Sequence, residues 1–171
     1  ACAGFSSAAT ADDSSTQPAL RQAFDAAKSG NLTPVRLASF ARDPLYGWLQ
    51  ALAVQQDLAN AEPRRVDALL ASLKGQPAGD WLREAWLSEL ARREAWPDFL
   101  RLYAGSEKRE LRCAELAGRL ATGRVDDAWI RDTQAIWLTG ASLPDACDPA
   151  IEALSARGLM DQALRWQRFD L

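Results

Sequence analysis

Short stretches of helix-forming residues, each followed by a break, make up this chain of 171 residues from Gln17 onward. Ala, Leu, Arg, Glu and Gln dominate these stretches, and all five residue types favour helices. Several breaks carry a helix-start signal, a polar side chain directly before a proline. These signals are Thr33-Pro34, Asp43-Pro44 and Glu62-Pro63. We predict an all-α chain of about ten short helices, paired antiparallel across breaks of about two to eight residues, with no strand.

Apolar residues recur at three- and four-residue steps, so one side of each helix is expected to face a neighbour. One such stretch begins at Pro63 and stops at Gly75. Its apolar residues are Val66, Leu69, Leu70 and Leu73. In two later stretches they are Leu82, Ala85, Trp86 and Leu90, then Leu111, Leu116, Ala117 and Leu120. The helices are therefore predicted to pack side by side.

A weak internal repeat is visible in the breaks. The six residues from Gly123 align with the six from Gly158, an offset of about 35 residues, and Gly30 opens a similar turn. This offset is close to the period of tetratricopeptide-like repeats. Because the consensus aromatic and proline positions of those repeats are mostly missing, we predict an irregular α-superhelix. A helical bundle without a repeat is the alternative.

The N-terminal residues resemble the C-terminal end of a signal peptide in composition. Ala9-Thr10-Ala11 is a small-x-small site followed by a polar run from Asp12, which is typical of signal-peptide cleavage before Asp12. A disordered Ala/Ser leader and a lipidated Cys2 are the alternatives. We expect residues 1–16 to be a signal remnant and flexible leader, and residues 17–171 to be the helical domain. No apolar stretch is long enough to span a bilayer.

Composition excludes several classes of function. The net charge is −3 with acids and bases interspersed, which argues against nucleic acid or an anionic membrane as the main partner. The chain has no histidine, so Ser-His-Asp and Cys-His catalysis and His-containing zinc sites are excluded. The three cysteines are too far apart in sequence for a local metal knuckle. We predict no cofactor and no metal.

Two groups of side chains have both a functional and a structural interpretation. Asp126-Asp127 is a paired carboxylate, but its place before a helical stretch favours capping over acid/base catalysis. The tryptophans could stack on sugars, although their helical spacing favours packing between helices for most of them. They are Trp48, Trp81, Trp86, Trp96, Trp129, Trp137 and Trp166.

Three stretches, in this order, resemble the N-terminal helical domain of the soluble lytic murein transglycosylases. The first is Asp43-Pro44-Leu45-Tyr46, and the second runs from Leu90 through Trp96 to Leu100. The third and most specific runs from Trp137-Leu138-Thr139-Gly140 to Ala146-Cys147-Asp148. The resemblance covers roughly residues 18–171.

The resemblance implies a periplasmic protein in which a superhelix and a linker domain form a ring. A lysozyme-like C-terminal domain cleaves the MurNAc–GlcNAc bond of peptidoglycan to a 1,6-anhydro product, with one glutamate as acid and base. That glutamate is followed by serine in the family, and no glutamate here is. Gly158-Leu159-Met160 is similar to a catalytic-domain stretch, but Asp161 replaces its glutamine. The chain is therefore expected to be the first part of the superhelix, with no catalytic residue of its own.

Two cysteines have counterparts that form a disulfide in that family. The resemblance implies a bond between Cys113 and Cys147, and two buried free thiols are the alternative.

The expected partners are the remaining superhelix, linker and catalytic domains of the same polypeptide, and through them peptidoglycan glycan strands. A periplasmic repeat module that binds proteins and has no enzyme attached is a second hypothesis. A freestanding carboxylate enzyme is a third.

Overall fold

A computed structural model of the chain describes the backbone of residues 13–170 and the side chains of residues 17–170. The α-helices in that range are α1 (Asp13–Lys28), α2 (Pro34–Ala38), α3 (Tyr46–Gln55), α4 (Pro63–Ser72), α5 (Pro77–Arg92), α6 (Trp96–Leu102), α7 (Arg109–Ala121), α8 (Asp127–Trp137), α9 (Asp148–Ala156) and α10 (Gln162–Phe169). Two 3₁₀ helices occupy Leu58–Asn60 and Asp145–Cys147. For the described residues, the prediction of about ten short helices and no strand is confirmed.

The first helix begins before Gln17, the residue at which we predicted the helical pattern to start. Helix α1 begins at Asp13, so the backbone of residues 13–16, which we assigned to the leader, is helical. The polar run there is made of residue types that favour helix starts, and acids in the first turn are stabilised by the helix dipole. The predicted cleavage site before Asp12 and the residue Cys2 lie outside the described residues.

The turns of the internal repeat share one geometry. Gly30, Gly123 and Gly158 have φ values of 73°, 73° and 70°, the left-handed conformation that glycine adopts without steric cost. Three residues after each glycine, a Thr or Asp side chain accepts a hydrogen bond from the backbone and starts the next helix. The pairs are Thr33 with Arg36 N at 3.3 Å, Asp126 with Trp129 N at 2.8 Å, and Asp161 with Leu164 N at 2.8 Å.

The predicted helix start at Asp43-Pro44 is wrong by two residues. Helix α3 begins at Tyr46, because Asp43 and Pro44 form a turn instead. The Asp43 carboxylate accepts a hydrogen bond from Leu45 N at 2.8 Å, and its carbonyl accepts one from Tyr46 N at 3.0 Å. An aspartate followed by proline can thus cap a turn as readily as a helix. The starts predicted at Pro34 and Pro63 are confirmed.

The chain divides into two compact units, the first ending at Leu82 and the second beginning at Arg83, within α5. The first unit has two apolar clusters, one around Leu49 against α1 and one around Leu73 and Leu82. The second unit has a larger cluster in which α7, α8 and α9 meet. Its buried members are Cys113, Leu116, Trp129, Ile136, Cys147, Ala150, Leu154 and Met160.

Gly79 permits a close approach between α5 and the end of α4. A Cβ atom at this position would lie 2.4 Å from the Leu73 carbonyl oxygen, a backbone atom that cannot rotate away. We expect Gly79→Ala to lower the free energy of unfolding by about 2–3 kcal/mol, measured by urea titration.

Gly118 in α7 supplies the control for that substitution. A Cβ there would lie 3.0 Å from Trp96 Cε3, a side-chain atom that can shift. Gly118→Ala should therefore cost clearly less than Gly79→Ala. Equal costs for the two variants would contradict the explanation by backbone contact.

Candidate functional site

The loop between α8 and α9 contains the stretch on which the family resemblance mainly depends. The structure joins Cys113 of α7 to Cys147 at the end of this loop by a disulfide, with the two Cα atoms 4.6 Å apart. Both cysteines are fully buried in the core of the second unit. The bond closes a segment with a sequence separation of 34 residues and fixes the loop to α7.

Two arginines hold the same loop from other positions in the chain. Arg109, at the start of α7, donates a hydrogen bond to the Ser142 carbonyl at 3.1 Å. Arg168 of α10 donates to the carbonyls of Trp137 and Ala141, and its guanidinium carbon lies 4.2 Å from the centre of the Trp137 ring. The loop is therefore fixed by hydrogen bonds and ring stacking as well as by the disulfide.

The roles of Arg109 and Arg168 were not predicted. Both contacts are with backbone carbonyls more than 25 residues away in sequence, and a carbonyl has no residue-type signature. The sequence held one partial indication of the Arg168 contact: Trp137 is an aromatic residue on which an arginine can stack. Nothing in the sequence indicated which arginine would reach it.

The paired carboxylate Asp126-Asp127 lies at the start of α8, as predicted. Asp126 caps the helix, and the hydrogen bond from Trp129 N is the main reason that its pKa is lowered. Asp126 also accepts a hydrogen bond from Arg119 at 2.9 Å, and Arg119 donates to Asp132 at 2.8 Å. Asp126 is thus explained by capping and ion pairing, and Asp127 lies in the first turn of α8, where the helix dipole favours an acid.

Glu115 is the described carboxylate whose environment most resembles that of a catalytic acid. Burial raises its pKa, although Arg119 opposes the shift from 3.4 Å away. Burial also raises the pKa of Tyr103, with a smaller contribution from Glu115. Arg119 pairs with Glu115, Asp126 and Asp132. These four side chains therefore form an ion-pair network between α7 and α8.

Glu89 on α5 lies in a second network, with two arginines. Arg92 Nε and Arg93 Nε donate to its carboxylate at 2.8 Å and 2.6 Å. These hydrogen bonds, that of Arg92 first, lower the pKa of Glu89 to about 2. Since the ordinary value is 4.5, the carboxylate stabilises the folded state fully above that pH, and its contribution is lost as the pH falls toward 2.

We expect Glu89→Gln to lower the free energy of unfolding by about 1 kcal/mol at pH 7, because three charge-assisted hydrogen bonds, two from Arg92 and one from Arg93, weaken. The difference from the unmodified protein should shrink as the pH is lowered below 4.5. Urea titrations at a series of pH values would measure it. Asp98→Asn is the matched control, since Asp98 pairs with Arg101 at an exposed position and should matter less at every pH. A difference for Glu89→Gln that does not change with pH would contradict this assignment.

Most of the tryptophans pack between helices, as predicted. Trp86 and Trp129 are fully buried, and Trp48 and Trp81 contact each other with ring centroids 5.8 Å apart. The exception is Trp166 on α10, which is 59% exposed. It lies beside Phe169, which is 80% exposed, and their ring centroids are 5.8 Å apart.

The first unit has an open groove of about 690 Å³ between α2, α3 and α4. Apolar side chains including Leu37, Val54 and Leu69 line it, together with the polar side chains of Asp57 and Asn60. Within the described residues, no three acidic or cysteine side chains are grouped so that they could hold a metal ion. None of the described helices combines the length and apolar character needed to cross a bilayer.

No family model matches the chain. Two curated soluble lytic murein transglycosylases, from Salmonella typhimurium and from Escherichia coli strain K12, are each 30% identical to it over 131 residues. The matched stretch covers 75% of this chain and 20% of each relative. The chain therefore spans about a fifth of the length of the curated relatives it matches.

Solved structures show the same likeness. An inactive mutant of the lytic transglycosylase Slt from Pseudomonas aeruginosa matches with a TM-score of 0.78 and 26% identity, over 88% of this chain and 25% of that one. The 70 kDa soluble lytic transglycosylase of Escherichia coli matches with a TM-score of 0.77 and 24% identity, over 90% and 25%. The predicted fold class is therefore confirmed. The predicted family is confirmed as well, and the chain is homologous to a part of the soluble lytic murein transglycosylases.

Proposed function

We propose that residues 17–171 are the first part of the helical scaffold of a periplasmic soluble lytic murein transglycosylase. The observation that carries this proposal is the 30% identity over three quarters of the chain to enzymes five times longer than the matched stretch. In this role the segment supplies architecture, and the rest of the polypeptide supplies bond cleavage. The complete protein would act on glycan strands of peptidoglycan and release a 1,6-anhydro product.

The chemistry of the described carboxylates supports an architectural role. Those that stand out in pKa or spacing are engaged in structure: Asp126 caps a helix, Glu89 binds two arginines, Glu115 pairs with Arg119, and Glu84 pairs with Lys108. Glycosidic bond cleavage needs a carboxyl group that faces the substrate and is able to transfer a proton. Each of these four side chains is instead held by a structural hydrogen bond or ion pair.

A product assay on the complete polypeptide tests the proposal. Incubated with purified murein, the complete protein should release muropeptides with 1,6-anhydro ends, which mass spectrometry distinguishes from hydrolysed ends by the absence of one water. Glu115→Gln should leave this activity intact, because the proposal assigns Glu115 no part in the chemistry. Products with only reducing ends, no turnover at all, or turnover that depends on Glu115 would contradict the proposal.

A further inference from the structure

Helix α10 is attached to the second unit at two places. At its start, Leu164 packs against the apolar cluster of that unit. Near its end, the Arg168 guanidinium donates hydrogen bonds to the carbonyls of Trp137 and Ala141 and stacks on the Trp137 ring. The structure describes every residue of α10, and none of them is buried. Residues 166–169, which we call the end segment, are therefore held mainly by the contacts of Arg168.

Both acceptors of these hydrogen bonds depend on the loop between α8 and α9. Trp137 is the last residue of α8, where a carbonyl has no partner within the helix, and Ala141 lies in the loop itself. The loop is fixed by the disulfide at Cys147 and by the hydrogen bond from Arg109 to the Ser142 carbonyl. The positions of the two acceptor carbonyls are therefore linked to the disulfide through the backbone of the loop.

We propose that the bond between Cys113 and Cys147 is a redox-sensitive switch for the end segment of α10. While the bond is intact, the loop holds its carbonyls in place and the end segment is docked through Arg168. When a dithiol reduces the bond, two electrons and two protons pass to the cysteines, which become thiols, and the dithiol closes to a disulfide. The loop then gains conformational freedom, and the end segment is released. This inference goes beyond the proposed function and does not rest on it, because all of its contacts lie within the described residues.

The release is expected to be local, because other contacts hold the neighbouring elements. Leu143 and Ala146 of the loop pack against the apolar cluster, so the loop should stay near the core and lose only its fixed geometry. The start of α10 keeps the packing of Leu164. The Gln134 side chain also donates a hydrogen bond to the Leu159 carbonyl, just before α10, at 3.2 Å.

Hydrogen exchange measured by mass spectrometry on the complete polypeptide tests the switch. We compare the oxidised protein with the double variant Cys113→Ala/Cys147→Ala. The protection factors of residues 166–169 should fall about tenfold in the double variant, because the hydrogen bonds of a charged guanidinium are lost. At the same labelling times, α8 should remain unexchanged in both proteins. Unchanged protection of the end segment, or exchange of α8 on the same timescale, would overturn the inference.

A substitution in the oxidised protein tests the same coupling without removing a cysteine. Arg168→Ala should lower the protection factors of the end segment by the same factor of about ten, although the disulfide is intact. Arg165→Ala is the matched control, since Arg165 is an exposed arginine on the same helix, and its substitution should leave the end segment protected. Added to the double cysteine variant, Arg168→Ala should have no further effect. A further tenfold loss there, or no loss in the oxidised protein, would contradict the coupling.

The coupling must also act in the reverse direction, because linkage between two equilibria is reciprocal. In glutathione buffers of graded potential, Arg168→Ala should shift the equilibrium toward the reduced thiols by about the same factor as the fall in protection. Arg165→Ala should leave it unchanged. Mass spectrometry after alkylation measures the reduced fraction at Cys113 and Cys147. Equal reduction equilibria in Arg168→Ala and the unmodified protein would overturn the inference.

Discussion

Replacing Cys113 and Cys147 by alanine is expected to lower the free energy of unfolding of the second unit by about 3.5–4 kcal/mol. The disulfide closes a segment with a sequence separation of 34 residues, and the chain-entropy model gives this value for a loop of that length. Both sulfur atoms are fully buried, so the loss of packing adds to the effect. Urea titration of the oxidised protein and of the double variant would measure the difference.

A reduction experiment controls for the change in side chains. Under denaturing conditions the purified protein should show no free thiol at Cys113 or Cys147 until a reductant is added, and its mass should then rise by about two protons. In the reductant, the unmodified protein should approach the stability of the double variant. Free thiols at both positions in the purified protein would contradict the bond.

Trp129→Phe is expected to cost about 2–3 kcal/mol of unfolding free energy, whereas Trp86→Phe should cost about 1 kcal/mol or less. Both indoles are fully buried, and an arginine lies over each ring, Arg157 at 5.7 Å and Arg93 at 5.1 Å. They differ in hydrogen bonding. Trp129 Nε1 donates to the Leu116 carbonyl at 2.9 Å, while Trp86 Nε1 has no hydrogen-bond partner among the described residues.

The comparison isolates the contribution of one buried hydrogen bond. Phenylalanine leaves a similar void at both positions, so the volume change largely cancels between the two variants. Removing an unpaired buried donor relieves a desolvation penalty at Trp86, and removing a paired one at Trp129 loses an interaction. Chemical denaturation of both variants measures the difference. Equal losses of stability would contradict the hydrogen-bond assignment.

The fold was predictable because helix boundaries depend on local chemistry. Thr33 and Asp126 cap the helices that the sequence predicted, since a cap needs only its own side chain and the next three backbone groups. Asp43 was misassigned because the same side chain can stabilise a turn, and the choice between the two depends on packing further along the chain. The α1 start at Asp13 was missed for a related reason, since polar residues suit both a leader and a first helical turn.

The long-range contacts were harder to predict. Most of the tryptophans were correctly expected to pack between helices, because their spacing matches that of the apolar residues around them. The exposure of Trp166 and the carbonyl contacts of Arg168 were not identified. Both depend on how α10 is placed against residues about 30 positions earlier, and sequence spacing carries no information about that distance in space.

The loop between α8 and α9 also has a consequence for the order in which the chain is assembled. A polypeptide is synthesised from its N-terminus, so Cys113 and Arg109 emerge before the loop, and Arg168 emerges after it. The sulfur–sulfur link and the contact from Arg109 can therefore form before α10 exists. Helix α10 can then bind carbonyl groups that the disulfide and Arg109 already hold in position.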